Sequence, residues 1–185
     1  MADLFTRLSA GVEAHLRQAF AERAWAFALV PEPLTLLEWQ DLARNTPLIT
    51  LAFKDWKAAA NAGRRAKGTV SMVAVIVVKN ERGAEHRFKG DARGPGLFPA
   101  IDMFIRWVNG HTIEGLATLF VSSAEQGFAD GWSNAGAAIA RVEIEALVEF
   151  DAAVDPEELD DFLRLQNAWT APALAQDVHN VSTPI

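Results

Sequence analysis

The two most apolar stretches of the chain lie almost end to end between Thr69 and Gly110, and they constrain any fold it can adopt. The first, TVSMVAVIVVKN, has the length and β-branched content of a buried strand. A charged, glycine-bearing loop, ERGAEHRFKGDARGPG, leads from it into LFPAIDMFIRWVNG, which reads as a helix. Between Leu97 and Val108 only Asp102 and Arg106 interrupt the apolar residues. A helix with so little polar surface cannot sit on a lone subunit with one side in water. Its cover comes either from a sheet plus other parts of the chain or from a second subunit.

The flanking sequence points to an α+β domain. Leu4, Leu8, Val12, Leu16 and Phe20 recur every four residues, so a first helix runs from Asp3, as N-cap, to about Glu22. AWAFALV is open between a short strand and a continuation of that helix, and Pro31 and Pro33 then break regular structure. Thr35 and Glu38 form a capping box before a short helix to about Arg44. LITLAFK (48–54) reads as a strand, 55–68 as a basic loop closing a hairpin, and 69–79 as a central strand apolar on both faces. LATLFVS (116–122) is a further strand, followed by a turn-rich loop over 123–136. From Ala138 to Phe150 apolar residues alternate with Arg141, Glu143, Glu145 and Glu149, which predicts one buried and one wet, acidic strand face. Asp155-Pro156-Glu157-Glu158 starts a last helix. The expected fold is a mostly antiparallel sheet of about four to five strands packed against two main helices. Residues 1–150 form its single domain, and 151–185 add a C-terminal helix and tail, packed on it or on a neighbouring subunit.

The net charge of −7 hides an asymmetry. Residues 54–93 hold ten Lys/Arg against four acids, a net +6, which leaves the rest of the chain at −13. Three readings stay open for this basic middle: loops kept soluble by charge, a nucleic-acid surface, or docking onto an acidic patch of another subunit. Overall acidity argues against a dedicated DNA binder, whose affinity would rest on phosphate neutralisation. The acidic strand ridge reads either as simple solubilisation or as a face that repels nucleic acid or meets a neighbour's basic loops. No apolar run nears the roughly 20 residues of a membrane helix. The first residues lack a basic segment before an apolar core, so no membrane association and no secretion are expected.

Signs of chemistry are missing. With no cysteine, thiolate metal sites and cysteine nucleophiles are ruled out. His15, His86, His111 and His179 stand far apart with no metal-ligand spacing, and His111 reads as a turn residue past a helix end. Gly94-Pro95-Gly96 lacks the spacing of a phosphate loop, and proline removes a donor such a loop would use. No Gly-x-Ser-x-Gly elbow occurs. No catalytic residue, cofactor or metal is expected. Among the six tryptophans, Trp107 reads as packed, while Trp56 and Trp132 read as loop residues of the kind that mark contacts.

The order strand, VIVVKNERG, basic loop, GPGLFPAIDMFIRWVNG, strand, turn and alternating strand ARVEIEALVEF resembles the tail terminator (tail completion) proteins of Mu-like contractile-tailed phages and prophages. The matching residues are Lys79, Asn80 and Arg82, Gly96 before the apolar helix, and Asn109-Gly110 after it, within about residues 3–150. The stretches 55–68 and 151–185 fall outside the resemblance. It implies a structural virion protein, made in the host cytoplasm and placed in the tail-neck region. Six copies would form a ring that caps the tail tube, stops its growth and presents a joining surface to the head. The implied partners are other copies of the chain, the tail tube protein and the head-tail connector, with DNA passing but not specifically bound. On this reading Arg82, Arg87, Lys89, Arg93, Met103 and Trp107 are the candidate subunit or tube interface, and Glu143, Glu145 and Glu149 the candidate lumen face. Another neck or baseplate component is the nearest alternative, and a small ligand-binding or enzymatic domain with a pocket beside Trp107 is a more distant one.

Overall fold

A computed structural model describes residues 3–21, 24–30, 45–59, 66–92, 94–127 and 136–150. The chain divides into two units, Met1–Phe150 and Asp151–Ile185, and all the described residues belong to the first. The capping-box helix before Arg44 and the C-terminal helix and tail lie outside the described residues.

Helix α1 spans Leu4–Ala19. Asp3 caps it, accepting the Thr6 N–H at 2.9 Å and the Thr6 hydroxyl at 2.7 Å, and these bonds hold its carboxyl below the usual range. The ambiguous AWAFALV contains a strand, β1 (Ala26–Leu29). It is followed by β2 (Leu48–Ala58), β3 (Lys67–Lys79), helix α2 (Ala84–Lys89), helix α3 (Leu97–Val108), β4 (Thr112–Ile113), β5 (Ala117–Gly127) and β6 (Ala137–Glu149). The strands form one sheet in the order β1-β2-β3-β6-β5-β4. The α+β class holds, but the sheet has six strands and is mixed, because β1 runs parallel to β2. β1, left open between strand and helix, and β4, which was missed, have four and two residues, too few to show a period.

Two further corrections share one cause. The sequence reading ends β2 at Lys54 and β5 at Ser122, whereas both continue, to Ala58 and Gly127. Each strand carries a β-bulge at the point where the reading stopped: the β2 register jumps from Phe53 to Asp55, and that of β5 from Val121 to Ser123. An extra residue reverses which face the next side chains occupy, so the alternation fails locally although the ladder goes on. In β2 the bulge turns Trp56 toward the helix-covered face, where its ring meets Phe150 edge-on at 5.7 Å. Trp56 is therefore a half-buried strand residue rather than a loop residue; Trp132 lies outside the described residues.

The core forms on one face of the sheet. Val70, Met72, Ala74, Ile76 and Val78 of β3 and Ala138, Ala140, Val142, Ile144, Ala146 and Val148 of β6 point there. They pack with Leu8, Val12 and Leu16 of α1 and with Leu97, Ala100, Phe104 and Val108 of α3. The opposite face of β3 is buried too, with Val73, Val75 and Val77 clustered around Leu48. Every residue from Val70 to Val78 is buried, as the apolar run implies for a central strand.

Candidate interaction surface

The charged loop expected over 80–96 contains α2 and folds back on itself. Gly83 (φ 114°) and Gly90 (φ 80°) flank α2 in backbone conformations open to glycine. Asp91 and Gly94 then exchange backbone hydrogen bonds at 3.0 and 3.3 Å, and this tight turn returns the chain so that Gly96 meets Gly90. A Cβ on Gly96 would overlap the backbone of Phe88 to Gly90. The glycines thus serve a backbone-on-backbone contact that sets α2 beside the start of α3. Gly96 is also the N-cap of α3.

Helix α3 buries Leu97, Ala100, Phe104 and Val108, one stripe at helical spacing. Its single polar strip is an ion pair four residues apart, Arg106 to Asp102 at 3.0 Å. On either side of this strip apolar side chains reach solvent: Phe98 is 56% exposed, Met103 47% and Trp107 37%. Phe98 rests on Phe88 of α2, ring centres 5.1 Å apart, so the apolar surface extends from one helix to the next.

Of the cationic residues assigned to an interface, Arg82, Arg87 and Lys89 sit in and beside α2, and two of these three are engaged in ion pairs. Arg82 reaches Asp91 at 3.3 Å, as does His86 at 3.7 Å, and Lys89 pairs with Glu85 at 2.9 Å. Arg87 is half-buried, with Nε enclosed and without a hydrogen-bond partner. Arg93 lies outside the described residues. The basic patch is thus spread over local ion pairs, which weakens the field it would offer a polyanion.

The three glutamates lie on the sheet face opposite the core, but this face is neither fully wet nor uniformly acidic. Residues 137, 139, 141, 143 and 145 are half-buried. Glu143 binds Lys54, the bulge residue of β2, across the intervening β3, and this bond raises the Lys54 pKa. Glu149 pairs with Lys67 at 3.1 Å, directly opposite in the β3–β6 register. Glu145 has no ion-pair partner among the described residues. Phe120 and Leu147, both exposed, flank it on the same face.

The sequence reading missed a contact between α1 and the end of α3. The Trp107 indole N–H donates to the His15 carbonyl at 2.9 Å, and His15 Nε2 donates to the Trp107 carbonyl at 2.8 Å. His111, read as a plain turn residue, stacks on His15 with ring centres 3.3 Å apart and planes 4° from parallel. Burial, with His15 beside it, pushes the His111 pKa down. In-plane lone pairs on parallel rings cannot converge on one ion at about 2.1 Å, so the pair does not chelate. No cluster of three or more metal-ligating side chains occurs among the described residues. Nothing local in the sequence brings these two histidines together; only the tertiary packing does.

An apolar cavity of about 210 Å³ opens between α1 and the β1-β2-β3 side of the sheet, lined by Phe5, Leu8, Leu29, Leu51, Phe53 and Met72 among others. It is not lined by Trp107, so it is not the pocket expected beside that residue. Among the described residues no helix is long and apolar enough to cross a membrane. No protein-family model matches this chain, and no curated protein matches it.

Proposed function

We propose that the chain is a structural protein of a phage or prophage tail. Its copies assemble into a closed ring, six in number, at the end of the tail tube. The ring stops tube growth and offers the surface that joins the head. The observation that carries this reading is the outer side of α3, where Phe98, Met103 and Trp107 leave apolar surface around a single ion pair. Isolated exposed apolar residues are ordinary, but three on the outer side of one helix, around a single ion pair, fit a partner's surface. The α2–turn–α3 unit holds that set on a close backbone contact, with Phe88 packed against Phe98 beside it. A head-to-tail interface that closes into a ring buries it on every copy. The face carrying Glu143, Glu145 and Glu149 lines the passage in this reading, with DNA moving past without being bound.

The test combines mass and microscopy. The purified chain is expected to run as a closed oligomer, and tails grown without it to be overlong. Phe98→Glu and Met103→Glu should each weaken subunit association at least about tenfold. A monomer at high concentration, together with tails of normal length in its absence, would sink the proposal.

A further inference from the structure

We infer that His15, His111 and Trp107 form an acid-opened latch between α1 and the C-terminal end of α3. The inference goes beyond the ring reading and holds whether or not that reading does. Three features of the junction carry it. The two imidazoles lie face to face, and the Trp107 indole lies 5.2 Å from His15 and 12° from parallel to it. The backbone carbonyl of Trp107 can only accept, so His15 Nε2 carries the proton of that bond and Nδ1 is bare. His15 Nδ1 is buried and has no hydrogen-bond partner.

In this geometry a proton has no favourable place to go. Added to His15 Nδ1, it creates a buried N–H without an acceptor. Added to His111, it puts a cation against the buried imidazole of His15, and a second proton on His15 adds like-charge repulsion at stacking distance. Among the described residues no carboxylate pairs with either ring. On α1, Glu13 and Arg17 pair with each other, and Arg17 also lies over the Phe27 ring. On α3, Asp102 and Arg106 pair with each other along the outer strip. Glu114, just past β4, is exposed. The charge acting on His111 is that of His15, in addition to the effect of burial.

Opening is concerted because the reciprocal hydrogen bonds join the same two residues. Separating the imidazoles frees His15 to turn toward water, which removes the donor to Trp107 and loosens the indole. Trp107 is one of the exposed apolar residues of α3, so protonation reshapes that surface from its inner end.

Fluorotryptophan-labelled protein tests this by fluorine NMR, with the Trp107 signal assigned by its loss in Trp107→Phe. As pH falls from about 7.5 to about 4.5, a second Trp107 resonance should grow. Below the ordinary histidine pKa its ratio to the first should rise by about tenfold per pH unit, the behaviour of an opening linked to one proton. His111→Phe keeps a flat ring on the stack but removes one of the two rings a proton can charge, so its second resonance should stay weaker than the wild type's across the range. A wild-type signal that stays single, or a His111→Phe protein that opens as the wild type does, overturns the latch. If His111→Phe does not fold, the C2 proton of His111 in the wild type decides. Titration well below the ordinary histidine value supports the latch, and titration at or above it overturns the inference.

Discussion

The strand β3 and the helix α3 are similar in length and apolar content, yet they are buried very differently. Every residue of β3 from Val70 to Val78 is buried, on both faces of the sheet. Helix α3 buries one stripe and leaves Phe98, Met103 and Trp107 in contact with solvent. Geometry accounts for the contrast. A central strand has two faces and two neighbours, and a single domain can cover all four sides. A helix presents its full circumference, and one sheet with the neighbouring helices α1 and α2 leaves part of it uncovered. Apolar content in a strand therefore reports depth, whereas in a helix it can equally report a surface kept for a partner.

Three measurements would break or sharpen this contrast. The largest effect is expected at Phe104, fully buried at the centre of the α3 stripe. Phe104→Ala should destabilise the protein by about 3–5 kcal/mol, read by chemical denaturation. A loss of under about 1 kcal/mol would mean that α3 is not anchored to the core as described.

A smaller effect should appear as a slope of stability against pH. Because the His111 pKa is lowered in the folded protein, the unfolded chain binds more protons below its own pKa of about 6.5. Stability is then fully present above that pH and declines as pH falls below it. The carboxyls of Asp3 and Asp55 are held low, chiefly by Thr6 and Ser71, so a second loss belongs below about pH 4. Denaturation curves for His111→Phe should show a shallower first decline and keep the second. Identical curves for variant and wild type would assign the first decline elsewhere.

The smallest effect belongs to the outer side of α3. Met103→Gln should change the stability of the isolated chain by no more than about 0.5 kcal/mol, measured at concentrations where it is monomeric. A cost of several kcal/mol would show that Met103 is not a surface residue, and the contrast with β3 would fail.

What the sequence revealed follows the same division. β3 and β6 were legible because a continuous apolar run marks the one and a long alternation the other, although β3 starts at Lys67, two residues before the expected Thr69. The α1 stripe was legible for the same reason, and Asp3 caps it as the residue type implies. β2 and β5 were cut short at Lys54 and Ser122, where one inserted residue inverts the alternation. The short helix α2 carries four charged or titratable residues in six and buries none, so it left no apolar period to read. Glu143 and Glu149 read as a bare acidic ridge because their partners, Lys54 and Lys67, lie on other strands. The His15–His111 stack was illegible for a related reason: its parts come from α1 and from the turn after α3, and no periodicity encodes such a meeting.

The meeting of Gly90 and Gly96 bears on how such a protein can change over generations. Since a main-chain contact fixes where the second helix meets the third, outward letters that take no part in that junction can be rewritten while the platform stays still. A lineage that must fit a new neighbour could swap Met103 for almost anything, provided those two glycines are kept.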